Sequence, residues 1–355
     1  MSGPIRVLIV DDSPTIRHIL ASLLANAPDM EVVGEAPEPA IARQMIKDLN
    51  PDVITLDVEM PNMNGLEFLE RIMRLRPMPV VMVSTLTQKG TEVTLAALEL
   101  GAVDYFPKPT ENVAALLESG GDELVAKVRA AAKARVRPLR KVEAAPVVGP
   151  DFDPGDSVVA VGSSTGGVEA LLRLLSVFPA NCPPTVITQH MPPHFTTSFA
   201  ARLSRLCQPE VKEAADGDVL RPGHVYLAPG GVAHLEVTGR GALRCRLNPA
   251  PAVSGHRPSV DVLFRSVATA CGPRGIGVIL TGMGSDGAAG LLEMHKAGAA
   301  TIGQDENSSL IYGMPKAAFE RGAVDVQLPL DQIGPEILRL CANSHRKEAY
   351  HARGR

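Results

Sequence analysis

The feature that most limits what this chain can fold into is a repeated unit, a short apolar run that stops abruptly at polar residues able to do chemistry. Within the first 110 residues the unit occurs four times. Ile5–Val10 ends in Asp11 and Asp12, Val53–Leu56 in Asp57, Val80–Val83 in Ser84 and Thr85, and Val103–Phe106 leads into Lys108 and Pro109. In a doubly wound parallel sheet the carboxyl ends of the strands converge on one crevice, and ligands sit there. The pattern therefore predicts a single site with three carboxylates, a hydroxyl and an ammonium.

Carboxylates packed this closely repel unless a hard cation lies between them, and Mg²⁺ takes one or two carboxylates together with phosphate oxygens and waters. With such an ion present, Asp57 is a nucleophile for a phosphoryl group, and Lys108 answers the added charge. A plainer reading makes Asp11 and Asp12 caps of the helix that begins at Ser13-Pro14. Four strand ends with matching chemistry, in order, weigh against it. The segments VDDS at 10–13, LDVEMP at 56–61, MVST at 82–85 and DYFPKP at 104–109 resemble a response-regulator receiver domain over residues 3–125. That resemblance implies Asp57 as the phosphorylated residue and Asp11, Asp12 and the backbone of Glu59 as Mg²⁺ ligands beside it. It implies Ser84 as the hydroxyl that moves to the phosphoryl group, Tyr105 as the aromatic switch, and a cis bond between Lys108 and Pro109.

A net charge of −4, from 35 basic and 39 acidic residues, gives no electrostatic case for a nucleic-acid partner. That argues against a DNA-binding output. Residues 127–141, KVRAAAKARVRPLRK, hold seven Lys and Arg and no acid, then run into a Pro/Ala/Gly-rich stretch. A linker is expected over residues 126–155, its basic part read as a solvated helix face, with a docking strip for an acidic partner as the alternative. The five cysteines are widely spaced and form no CxxC pair, as expected of a reduced cytoplasmic chain. No apolar stretch approaches the roughly 20 residues of a membrane span, so a soluble protein without membrane insertion is expected.

The repeated unit returns after residue 155. Ser157–Val161 breaks into the turn Gly162-Ser163-Ser164-Thr165-Gly166-Gly167 ahead of a helical pattern, Val168–Leu175. Thr185–Thr188 ends in Gln189-His190, and Gly277–Leu280 in a glycine-rich loop that carries Met283 and Asp286. The turn is neither a GxGxxG fingerprint nor a Walker lysine loop, and no acid ends a suitable second strand, which disfavours nucleotide binding. Three strand ends bring Ser164, His190 and Asp286 to one sheet edge. A Ser-His-Asp triad is defined by geometry and not by chain order, so these three can act as nucleophile, general base and orienting acid, with the Met283 amide toward the oxyanion.

Bland readings stand beside this one. Ser164 can cap a helix, His190 can simply end a strand, and Asp286 can cap the helix at 287–294. His194, His224, His234, His256 and His295 compete for the base, and a His190/His194 pair suggests a metal site with no nearby acid or cysteine.

VGSSTGG at 161–167, QHMP at 189–192, LAPGG at 227–231, LTGMGSDG at 280–287 and YGMPKAA at 312–318 are similar to the catalytic domain of chemotaxis protein-glutamate methylesterases, over residues 156–345. The resemblance implies an α/β sandwich with a mostly parallel sheet, behind a five-stranded parallel receiver. It implies hydrolysis of γ-glutamyl methyl esters on methyl-accepting chemotaxis receptors by Ser164, His190 and Asp286, with methanol released, and deamidation of receptor glutamines. Hydrolysis would need no cofactor, while Mg²⁺ would serve the phosphorylation of Asp57 by a chemotaxis histidine kinase. A monomer is expected, in which phosphorylation releases a block on Ser164. A receptor-docking module without turnover is the alternative. His194 stands where related sequences carry a small residue, which could narrow the crevice.

Overall fold

The computed structural model describes residues 3–61, 63–84, 87–108, 121–136, 152–239 and 241–352. The chain forms two compact units, Met1–Lys141 and Val142–Arg355. Thr85, Pro109 with its Lys108–Pro109 bond, and residues 137–151 of the expected linker lie outside the described residues.

The first unit alternates β1 (Ile5–Val10), α1 (Pro14–Ala25), β2 (Met30–Ala36), α2 (Pro39–Leu49), β3 (Val53–Asp57), α3 (Gly65–Leu75), β4 (Val80–Ser84), α4 (Gln88–Glu99), β5 (Asp104–Pro107) and α5 (Gly121–Ala132). The sheet order is β2-β1-β3-β4-β5 with every pair parallel. Strand order reverses beside β1, so the crevice opens between the ends of β1 and β3. Residues 7–10 of β1 and 53–56 of β3 are buried on both faces, which explains why these strands read as nearly continuous apolar runs. Ser13 caps α1 by accepting from the Ile16 amide at 3.4 Å, with Pro14 in the first turn. The cap is thus neither Asp11 nor Asp12, and the plainer reading of that pair falls away.

Helix α5 runs past residue 125 and carries the first part of the basic run. Two of its cations are not simply solvated. Lys127 pairs with Asp104 at 3.4 Å and Glu123 at 3.1 Å, and the Arg129 guanidinium is bidentate on Asp29 at 2.7 and 2.8 Å. These pairs tie α5 to its own domain.

The second unit is built from β6 (Val158–Ser163), α6 (Gly167–Ser176), β7 (Thr185–Gln189), α7 (Phe195–Leu206), β8 (Glu210–Glu213), β9 (His224–Leu227), β10 (His234–Thr238), β11 (Arg244–Asn248), α8 (Val260–Cys271), β12 (Gly275–Ile279), α9 (Ala288–Lys296), β13 (Ala300–Gln304), α10 (Met314–Glu320), β14 (Val326–Leu328) and α11 (Leu330–Ala352). Seven strands pair in the order β14-β13-β12-β6-β7-β9-β8, all parallel, and β10-β11 form a separate antiparallel hairpin. From β6 the chain winds to β7 on one side, while β12 lies on the other. The switch of direction therefore flanks the carboxyl end of β6, where the glycine turn begins. Phe178, Phe195, Phe199 and Phe264 are fully buried in the apolar layers around this sheet.

Candidate active site and phosphoacceptor site

In the first unit the ends of β1 and β3 bring Asp11, Asp12 and Asp57 together, with one carboxylate oxygen of each within 4.8 Å of the others. Asp11 and Asp57 are buried and Asp12 is exposed. The Lys108 ammonium lies 2.6 Å from Asp57 Oδ2 and 3.0 Å from Asp11 Oδ2. Burial pushes the Asp57 carboxyl up to about 6; Lys108 opposes that rise and the Asp11 charge adds to it. Burial pulls the other way on Lys108, but the two carboxylates more than offset it and hold its proton more tightly than usual. Three carboxylates and nearby backbone form an all-oxygen donor set suited to a hard divalent cation. Among the described residues this is the one cluster of at least three His, Cys, Asp or Glu side chains so arranged.

The Glu59 amide donates to Asp57 Oδ1 at 3.1 Å, which places that backbone beside the carboxylate. Ser84 is buried at the end of β4, and its carbonyl accepts from the Lys108 amide at 2.7 Å. The Tyr105 ring is buried, with the Lys127 ammonium 4.6 Å from its centroid, and Lys127 also donates to the Tyr105 carbonyl at 2.6 Å. All the receiver residues expected from the sequence therefore occupy one sheet edge or the strand beside it.

In the second unit Ser164 follows β6, His190 follows β7, and Asp286 sits in the loop after β12. His190 Nε2 lies 2.9 Å from Asp286 Oδ2. The other ring nitrogen, Nδ1, is buried and makes no hydrogen bond. The carboxylate also accepts from Ser259 Oγ at 2.8 Å, the Val260 amide at 2.7 Å and the Asp261 amide at 3.1 Å. Asp286 thus caps α8, a helix distant in sequence, and not α9, whose cap is Gly287 in the left-handed region. Burial acts to raise the Asp286 pKa, but its bonds with His190, Ser259 and Val260 outweigh that and hold it below the usual carboxylate range. An ionised Asp286 fixes the proton of a neutral His190 on Nε2, which leaves Nδ1 as the basic atom.

Ser164 is half-buried, and its amide donates to the Thr281 carbonyl at 3.0 Å. It is not the cap of α6; that position is Gly166, at φ 81°. The loop that carries Met283 backs directly onto the serine, because a Cβ on Gly282 would meet Ser164 Cβ at 2.8 Å. The Met283 side chain is exposed.

The competing histidines are placed elsewhere or differently. His224 pairs with Glu210, His295 with Asp325, and buried His234 lies between the Pro251 carbonyl and the Ser259 amide. His194 is exposed at the start of α7 with φ 69°. His256 does reach the site: its ring stacks on His190 with centroids 3.8 Å apart and planes at 10°. Burial pulls its pKa down to about 4, helped by the neighbouring His190, so its ring is neutral near pH 7.

Sequence reasoning missed Ser259 and the stacking role of His256. Ser259 had a local signal, a serine just ahead of an apolar helical run. Nothing local pairs residue 256 with residue 190.

Residues 159–337 match the CheB methylesterase family and residues 7–119 the response regulator receiver domain family. A protein-glutamate methylesterase/protein-glutamine glutaminase from Caulobacter vibrioides is 61% identical over 342 residues, covering 95% of this chain and 98% of that protein. One from Agrobacterium fabrum is 57% identical over 350 residues, covering 98% and 99%. The crystal structure of the Thermotoga maritima CheB methylesterase catalytic domain is similar to the second unit, with a TM-score of 0.51 and 38% identity, covering 52% of this chain and 99% of that one. With matches that span both units and reach this identity along nearly the full length, the chain belongs to the CheB methylesterase family and carries an N-terminal response-regulator receiver domain.

Proposed function

We propose that this protein hydrolyses γ-glutamyl methyl esters on methyl-accepting chemotaxis receptors through Ser164, His190 and Asp286, at a rate raised by phosphorylation of Asp57. The observation that carries the reading is the His190–Asp286 pair at 2.9 Å, which leaves a buried, unbonded Nδ1 at the end of the strand next to the Ser164 turn.

In the first half-reaction Ser164 Oγ attacks the ester carbonyl and its proton passes to His190 Nδ1. The resulting imidazolium is stabilised by Asp286 on its other nitrogen. Amide donors of the 281–287 loop, with Met283 foremost, take the negative charge of the tetrahedral oxygen. Collapse breaks the bond to methoxide, which takes the Nδ1 proton and leaves as methanol. In the second half-reaction His190 deprotonates a water, the serine ester is cleaved, and a free glutamate side chain remains. The same cycle with ammonia as leaving group deamidates glutamine.

In the receiver, Asp57 takes a phosphoryl group from a histidine kinase: the P–N bond of the phosphohistidine breaks as the aspartyl O–P bond forms. Asp11, Asp12, Asp57 and the Glu59 backbone would hold Mg²⁺, whose bound charge neutralises phosphoryl oxygens. Lys108 offsets the remaining charge, and Ser84 and Tyr105 respond to it. The protein is read as a monomer in which this response relieves inhibition, so removal of residues 1–140 raises the basal rate.

The test is methanol release from methylated receptor membranes in Mg²⁺, with and without a small phosphodonor, with Ser164→Ala as the blank. Serine-dependent release that rises with the donor supports the reading. Release no higher than the blank on several receptors turns it toward a docking module.

A further inference from the structure

We infer that Gln189 is the positioning residue that holds the nucleophile turn against the base, through a clamp on the main chain of both. The inference rests on the esterase reading above and deepens it.

Strands β6 and β7 pair in register from Val159–Thr185 to Ser163–Gln189, and Ser163–Gln189 is the last pair of the ladder. Beyond it each chain turns away from the sheet, and the next residue on each side is Ser164 or His190. One ladder bond remains, from the His190 amide to the Ser163 carbonyl at 3.1 Å. The Ser164 carbonyl accepts from the Gly167 amide at 2.7 Å within the turn, and the His190 carbonyl has no backbone partner among the described residues. The Gln189 side chain links the two: its Nε2 donates to the Ser164 carbonyl at 3.0 Å, as a second donor there, and to the His190 carbonyl at 3.2 Å. Its Oε1 accepts from Ser163 Oγ at 2.6 Å. Both carbonyls are acceptors only, so the amide nitrogen has to face them and the hydroxyl has to donate to the oxygen.

The clamp is buried, with Gln189 3% and Ser163 0% exposed. Such an amide cannot exchange its partners for water, and it has one orientation that satisfies every group. The glycine turn is shaped around it. A Cβ on Gly167 would lie 1.9 Å from Gln189 Oε1, so any larger residue there displaces the amide. Gly167 is thus a glycine because a side chain from another strand fills the space, a requirement separate from that of a tight turn or a helix start.

Gln189 does not touch the reacting atoms. It acts by fixing where the Ser164 and His190 backbones stand relative to each other, and misplacement by about 1 Å costs roughly 100-fold in rate. The loss should fall on kcat and leave KM in place, since the receptor-binding surface is unchanged.

The decisive variant is Gln189→Glu in the full chain, assayed for methanol release at saturating phosphodonor from pH 6 to pH 8.5. An ionised glutamate cannot donate to either carbonyl. A protonated one keeps an acceptor oxygen and regains one donor. The expected result is a kcat about 100-fold below wild type at pH 8.5, with unchanged KM and a ratio to wild type that recovers as pH falls. Gln189→Met should lose a similar factor at every pH. Ser163→Ala, the mildest change, should fold normally and lower kcat by roughly 3- to 10-fold at constant KM.

A Gln189→Glu deficit that does not change with pH, a Gln189→Met variant with wild-type kcat, or a loss expressed in KM overturns the inference. If Gln189 variants do not fold, wild-type kcat in Ser163→Ala overturns it. Absence of turnover in the wild type would instead remove the esterase reading itself.

Discussion

Replacing Asp57 by Asn should stabilise the metal-free receiver at neutral pH and leave it unchanged in acid. Asp57 is buried, and its carboxyl titrates near 6 in place of 3.8. Between those two values the folded chain binds more protons than the unfolded one, so stability contributed by this group falls as pH rises through the window, and the loss is complete above about pH 6. A shift of about 2 pH units corresponds to about 3 kcal/mol, at 1.4 kcal/mol per unit. Asparagine has the shape of the protonated acid and carries no charge at any pH, while Lys108 keeps Asp11 as a partner at 3.0 Å.

The variant should therefore match wild type near pH 4 and exceed it by about 3 kcal/mol at pH 8. Hydrogen exchange of peptides from β1 and β3, in the full chain with chelator present and rates corrected for intrinsic exchange, reads this as a difference on the order of 100-fold in protection. Equal protection of the two proteins at pH 8, or an advantage for the variant that is already present at pH 4, would refute the reasoning. The Lys108 pair would then be worth as much as the burial and the Asp11 repulsion together.

Three further outcomes follow from the second unit. Asp286→Asn turns an amide nitrogen toward Ser259, Val260 or His190 and removes the charge that fixes the His190 proton on Nε2; kcat for methanol release should drop by about 10³ to 10⁴. His256→Phe keeps a ring on His190 and removes a group whose depressed pKa, about 4 against 6.5, makes stability rise with pH over that interval. Its melting temperature should fall less than that of wild type between pH 6.5 and 4.5, and a parallel fall in both proteins would contradict the assignment. Gly167→Ala should lower kcat with little change in KM, because its Cβ collides with the Gln189 amide; wild-type kcat would mean that the clamp shifts without consequence.

Much of the site was legible because both units are parallel sheets. Strand ends in such sheets carry the chemistry, and an apolar run that stops at Asp57, His190 or Lys108 marks its own end. The runs predicted at 5–10, 53–56, 80–83 and 185–188 lie within the strands observed. Contacts between remote segments that do not run from strand end to strand end were not legible. Lys127 looked like part of a solvated basic face, yet it folds over the Tyr105 ring. The bland reading of Asp286 made it a cap for the helix that follows it, yet beyond its bond to His190 it caps α8.

By itself, then, the sequence determined which residue types stand at which strand ends, and through its motifs the two families to which those ends belong. Burial periodicity and turn chemistry act over a few residues and are written locally. Only the tertiary structure decided which nitrogen of His190 meets the carboxylate, that the ring of His256 covers it, and that Gln189 joins two strand ends beyond their last ladder pair. Those choices depend on sheet order and on the space left by a glycine at the start of the helix after the neighbouring strand. The bond from the Gln189 side chain to the Ser164 carbonyl, some 25 residues apart, is set by that geometry and by no local pattern.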